Sequence, residues 1–201
     1  MSTESRRRYQ LKRRAESQER TRARITDAAV KLHGSVGPAR TSVSAVAERA
    51  GVQRATVYRH FPDEAALFAA CSQHWLSQHP PPDPVRWGEI DDPDERLRQG
   101  LTELYAYYGR TETMVSNLLR DEPAVAVLRP LMTARRSRLG AMADALTAGR
   151  SVRGRHRREV RAAVGHAVAF ETWRSLVRDQ DLDEERAVEL MVRFVRGVGR
   201  P

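Results

Sequence analysis

Apolar residues recur along most of this chain at three- and four-residue intervals, the spacing of helices that each bury one face. From Thr21, the positions Ile25, Ala28, Ala29 and Leu32 predict a first amphipathic helix, which Gly34 and Gly37-Pro38 end. Ser42 is a good N-cap for a short second helix with Val43, Val46, Ala47 and Ala50 on its apolar face, and Gly51 then supplies a sharp turn. Beyond that turn Val52, Val57 and Phe61 point inward on a third helix, leaving Arg54, Thr56, Tyr58, Arg59 and His60 for the outside. Pro62-Asp63 stops the third helix and caps a fourth, which runs from about Glu64 through Leu67, Phe68 and Trp75 to the prolines at 80, 81, 82 and 84.

The second half repeats the pattern in longer elements. Leu97, Leu101, Leu104, Tyr105 and Tyr108 share one face, and Met114, Val115, Leu118 and Leu119 follow on what reads as a separate short helix. Pro123 is expected to start a helix that carries Val127, Leu128, Leu131 and Met132 and continues through Leu139, Met142 and Leu146. The basic, glycine-containing stretch from Arg150 to Arg161 reads as a loop leading into two last helices, at about 157–178 and 183–198. By contrast residues 1–19 are polar and highly charged with few apolar anchors, the composition of a disordered arm.

Charge divides the chain unevenly. The first 60 residues hold fourteen Lys and Arg against five Asp and Glu, so the whole net charge of +9 resides there and the remainder balances to zero. The basic end is therefore the polyanion-binding end. The single cysteine, Cys71, excludes an internal disulfide and a Cys-rich zinc site, and it reads as a semi-buried helix residue. No stretch approaches the roughly 20 apolar residues of a membrane span, and the N-terminus lacks the apolar run of a signal peptide, so a cytoplasmic protein is expected. Glycine-rich phosphate loops, paired-His metal helices and G-x-S-x-G elbows are missing, and the six histidines are scattered without metal spacing, so neither an enzyme nor a cofactor or metal is expected.

Three short helices with a glycine turn between the second and third make a helix-turn-helix, whose later helix enters the DNA major groove. Arg on that helix can donate two bonds to guanine, Thr can meet a thymine methyl, and Tyr and His can reach phosphates. The same residues also suit a merely solvated face. The stretch from Thr41 to Pro62, TSVSAVAERAGVQRATVYRHFP, resembles the DNA-binding domain of the tetracycline-repressor (TetR) family. The alanine before the turn, Gly-Val at the turn, Thr-x-Tyr-x-His-Phe on the recognition helix and the Ile-x-x-Ala-Ala opening of helix one all fall at family spacing. The resemblance covers roughly residues 20–70.

It implies that Ser42, Val43 and Ser44 lie against the phosphate backbone, that Arg54, Ala55, Thr56 and Arg59 face base edges, and that Tyr58 and His60 touch phosphates. The chain departs from the family at Pro62-Asp63-Glu64, an acidic segment where members usually carry a backbone-touching lysine. An arginine-rich arm, Arg6 to Arg14, is expected to compensate. The expected class is all-α, with a basic arm at 1–19, a helix-turn-helix DNA-binding domain at 20–65 and a helical regulatory and dimerisation domain at 66–201.

The resemblance further implies a homodimer on a palindromic double-stranded DNA operator, built by the last two helices, with Val160, Val164, Ala167, Val168, Leu190, Met191 and Phe194 as interface positions. It also implies a pocket for a small-molecule effector among Tyr105, Tyr108, Met114, Leu118, Leu119, Met132, His166, Phe170 and Trp173, although aromatics and methionines at helical spacing equally make an ordinary core. Arg120-Asp121 either orients a polar ligand group or is a surface pair. The implied activity is transcriptional regulation, by a repressor released from its operator by ligand. The alternatives are an activator of the same fold and a non-specific nucleic-acid binder, which would bind weakly and with steep salt dependence.

Overall fold

The computed structural model describes residues 3–199, with side chains from Arg7 onward, and those residues form nine α-helices and no strand. Helix α1 runs Thr3–Ser35, so the segment expected to be a disordered arm is helical from Thr3 and continuous with the first predicted helix, while its first two residues lie outside the described residues. Its C-terminus closes where the backbone N–H groups of Val36 and Gly37 both donate to the Leu32 carbonyl. A single 3-10 turn, Pro38–Arg40, leads to α2 (Val43–Ala50), whose N-cap Ser42 accepts a bond from the Ala45 N–H. Gly51 ends α2 at φ 63°, a left-handed conformation that costs a residue with a Cβ about 1 kcal/mol. Helix α3 follows at Arg54–His60, and α4 at Glu64–Gln78 is capped by the Asp63 carboxylate on the Ala66 N–H.

Helix α5 spans Pro93–Asp121 without interruption, where two helices were expected; Asp92 caps it by accepting from the Asp94 and Glu95 N–H groups. Pro123 does not open a helix. It belongs to a turn, a 3-10 turn follows at Ala126–Leu128, and α6 occupies Arg129–Thr147. The helix expected at 157–178 is three pieces: α7 (Gly154–Ala167), α8 (Phe170–Arg174) and a single π turn at Ser175–Asp179. Helix α9 (Glu184–Val198) is capped by Asp183.

Packing divides the helices into two compact units. The chain up to His79 groups with Thr113–Arg129, and Pro80–Glu112 groups with the chain from Pro130 onward. Thus α4 and the end of α5 go with the helix-turn-helix region. Its core is built by Ile25, Ala29, Val46, Val57, Phe61 and Cys71, all 2% exposed or less. Each large apolar side chain buried this completely contributes roughly 1.5–3 kcal/mol.

The second unit is centred on the predicted stripe Leu97, Leu101, Leu104, Tyr105 and Tyr108 of α5. Met142 and Leu146 of α6, Val160 and Val164 of α7, and Val192 and Val195 of α9 are buried in the same unit. A Cβ on Gly100 would come within 2.6 Å of Leu146, so the glycine permits a close approach of α6. Arg96 is buried with no carboxylate partner among the described residues, its guanidinium donating to the carbonyls of Ile90 and Ala148 and so closing the C-terminal end of α6.

Candidate nucleic-acid interface

Helix α3 is held by two residues. Val57 and Phe61, each 1% exposed, anchor its inner side, and geometry then leaves Arg54, Ala55, Tyr58 and Arg59 exposed on the other, with Thr56 and His60 half-buried at the edges. Arg54 and Tyr58 lie one turn apart and order each other: the guanidinium donates to the phenol oxygen at 3.2 Å and lies 5.5 Å from the ring centroid. Arg49, Arg54 and Arg59 form no ion pair among the described residues, so their charge is available to a polyanion. Burial first, and then the charges of Arg59 and Arg22, push the His60 imidazole below its usual pKa.

At the start of α2 the expected backbone-facing residues divide. The Ser42 hydroxyl is committed to the cap, 3.1 Å from the Ala45 nitrogen, Ser44 is exposed, and the Val43 side chain is 9% exposed and packed inward. What Val43 can offer outward is its backbone N–H at the helix end.

Two arginines counted with the basic end serve the scaffold instead. Arg22 donates to the His60 carbonyl at 2.8 Å with its guanidinium 4.2 Å from the Phe61 ring centroid, and Arg24 donates to the carbonyls of Ala50 and Gly51. Each cation thus closes the C-terminus of one helix of the pair, where carbonyls are unpaired and the dipole favours positive charge. Sequence separations of 26 and 38 residues hide both contacts from local reading.

The end of α5 braces the same domain. Asn117 donates to the carbonyls of His33 and Gly34, Arg120 to that of Val36, and the Asp121 carboxylate accepts from the Ala39 N–H at 3.0 Å. The Arg120–Asp121 pair is therefore engaged with the turn after α1, and the hydrogen bond from Arg120 holds the Asp121 carboxyl below the usual range. Gly37, at φ 92°, has no room for a Cβ beside these two side chains.

In the second unit, four of the expected pocket residues come together. Tyr108 meets Phe170 edge-on at 5.3 Å and Trp173 at 5.9 Å, and Tyr105 lies 6.4 Å away. Tyr105 and Tyr108 donate to the carbonyls of Ala167 and Val168, while the buried Trp173 indole N–H has no partner among the described residues. Met132 is buried; His166 is exposed, 6.2 Å from Phe194. Met114, Leu118 and Leu119 fall in the other unit.

Of the expected interface residues, Val160, Val164, Ala167 and Val168 are at most 2% exposed within the chain itself, and Met191 is 8% exposed. A side chain without free surface has none to give a second copy, so these belong to the core. Leu190 and Phe194 remain on the outer side of α9, with Phe194 43% exposed, and Ala162, Gly165 and His166 on that of α7.

Among the described residues no helix is long and apolar enough to cross a membrane, and no three metal-binding side chains cluster. Residues 25–71 match the family of bacterial regulatory proteins called the tetR family. No curated protein sequence matches the chain. Among solved structures, a TetR-like transcriptional regulator from Rhodococcus sp. RHA1 is similar over 90% of this chain and 97% of that one, with TM-score 0.63 and 20% identity. A tetR-family transcriptional regulator from Streptomyces coelicolor is similar over 90% and 80%, with TM-score 0.60 and 18% identity. The transcriptional regulator FadR from Bacillus subtilis, in complex with stearoyl-CoA, is similar over 86% and 96%, with TM-score 0.58 and 17% identity. The domain over residues 25–71 belongs to the tetR family of bacterial regulatory proteins, and the chain as a whole has the all-α fold of TetR-like transcriptional regulators.

Proposed function

We propose that the protein is a sequence-specific, DNA-binding transcriptional regulator that works in the cytoplasm as a homodimer on a palindromic operator and represses until a small molecule releases it. The observation that carries this reading is the outer face of α3: Arg54, Ala55 and Arg59 exposed and Thr56 half-buried beside them, over the buried anchors Val57 and Phe61, with Arg49, Arg54 and Arg59 free of ion pairs among the described residues. Such a face can enter the major groove with Arg on guanine and Thr on a thymine methyl, while Tyr58, His60 and the start of α2 take phosphates. A dimer supplies two reading heads, each of modest affinity, whose linkage raises the effective concentration of the second and fixes half-site spacing.

The proposed effector is apolar to amphipathic and docks at the aromatic cluster of Tyr105, Tyr108, Phe170 and Trp173. The stearoyl-CoA held by one fold relative is of that class. Release needs only a differential affinity for two conformations: a hundredfold loss of operator affinity corresponds to about 2.7 kcal/mol of coupling.

Selection of bound sequences from a random duplex pool tests the reading. A palindromic winner bound at least about a thousandfold more tightly than scrambled DNA at physiological salt is expected. Arg59→Ala should weaken that binding by about tenfold or more while leaving the thermal unfolding midpoint unchanged, because the side chain is exposed. Equal binding of all sequences would overturn the regulator in favour of a general nucleic-acid binder.

A further inference from the structure

Helix α1 extends well past the body that it serves. Every residue from Arg7 to Arg20 is exposed, the first half-buried position is Thr21, and the packed core begins at Ile25. About four turns of helix, roughly 21 Å at 1.5 Å per residue, therefore stand clear of the domain.

Helical register orders the charges on this overhang. Arg7, Arg14, Ile25 and Leu32 are separated by 7, 11 and 7 residues and share one face, so the side that buries Ile25 continues outward as the side carrying Arg7 and Arg14. Between them and the core that side presents Gln10, Leu11, Ser17, Gln18 and Thr21, and no carboxylate. The acids Glu16 and Glu19 lie on the opposite side. Arg7 and Arg14 have neither an ion pair nor a hydrogen bond among the described residues.

The overhang also leaves the body at a telling place. Arg22, at its base, donates to the carbonyl of His60, the last residue of the candidate recognition helix. The overhang therefore starts beside the C-terminal end of α3, next to any duplex that this helix engages. A partner helix or a bilayer would need an apolar stripe, and the exposed apolar residues here, Tyr9 and Leu11, do not form one.

We propose that this inner face, through Arg7 and Arg14, is a second DNA-docking surface, a helical rail that grips the phosphate backbone of the duplex flanking the segment read by α3. At about 3.4 Å per base pair, the rail covers roughly six base pairs. The inference rests on the DNA-binding reading above, and its test is arranged so that the two can fail separately.

The probe is a 40-base-pair duplex of mixed sequence, titrated with the full chain between 50 and 300 mM NaCl. Two double variants remove the same charge from opposite sides of the helix: Arg7→Gln with Arg14→Gln on the inner side, and Arg8→Gln with Lys12→Gln on the outer. Glutamine keeps helix propensity close to that of arginine, and circular dichroism checks that helicity is retained. The inner pair should lower the slope of log affinity against log salt by about 1.8 per chain bound, since each phosphate contact contributes about 0.9, and the outer pair should change it by less than about half a unit. Equal losses from both pairs would mean diffuse attraction and overturn the rail. So would equal, equally sensitive binding of a 40-nucleotide single-stranded RNA. If the inner pair alone lowers the slope while the random pool yields no preferred sequence, the rail stands and sequence-specific regulation falls.

Discussion

At His33 three helices meet, and the imidazole holds them without charge. Its Nδ1 lies 3.5 Å from the Cys71 sulfur of α4, its ring centroid 5.4 Å from that of Phe68, and its carbonyl receives the Asn117 amide of α5. Burial lowers its pKa from 6.5 to about 4. As pH falls the unfolded chain takes up this proton first, so the stability tied to neutral His33 is complete above the unfolded pKa of about 6.5 and is lost progressively toward pH 4. Between pH 7 and 4.5 the loss should be roughly 2 kcal/mol. Urea unfolding of the wild type against His33→Gln checks it: the wild type should lose this increment and the variant should not. The carboxyls held below their usual range, such as Asp121, act in a lower window, from the unfolded carboxylate pKa downward. Nothing around His33 in the sequence announces the role, because Cys71 and Asn117 are 38 and 84 residues away.

Elements were legible where the signal is local and illegible where a distant side chain decides. Ser42 as N-cap, Gly51 as the left-handed turn, Asp63 as the cap of α4 and the buried pair Val57 and Phe61 all follow from neighbours within one helical turn, and the structure has each of them. The break between α7 and α8 does not follow from its own residues, since Ala167-Val168-Ala169 contains neither proline nor glycine. The hydroxyls of Tyr105 and Tyr108, about 60 residues earlier, donate to the carbonyls of Ala167 and Val168, and the Thr172 hydroxyl donates at 2.6 Å to that of His166, which also accepts from the Ala169 N–H. Tyr105→Phe or Tyr108→Phe leaves a buried carbonyl without its donor, and each should lower stability by about 1–3 kcal/mol in equilibrium unfolding. A neutral outcome would mean that the break is dictated by something other than these bonds. The opposite error occurs in α5, where two helices were expected and one runs unbroken; at Gly109, inside it, a Cβ would come within 2.7 Å of the Glu184 carboxylate, so this glycine marks a close approach. The arm at 1–19 was misread for a third reason, because its composition reports the absence of a core but not the momentum of a helix already nucleated at Ile25.

For the whole molecule, the proposed homodimer rests on the outer sides of α7 and α9. Ala162 and Gly165 allow close approach, and Leu190 and Phe194 supply apolar area. Phe194→Glu should convert a sedimenting dimer to monomer without unfolding the chain, because the side chain is 43% exposed in the single subunit. Affinity for a selected palindrome should fall by about a hundredfold or more as the second reading head is lost. A variant that sediments as wild type would move the interface elsewhere. The length of α1 gives its domain an unexpected leverage. Thirty-three residues make a rod about 50 Å long, held at its C-terminal end by the Asn117, Arg120 and Asp121 contacts around residues 33–39. Because α1 is also packed into the core from Ile25 onward, the rod turns only with its domain, and a tilt of the whole domain by about 5° would carry the far tip some 4 Å, on the order of one base-pair step of the DNA axis.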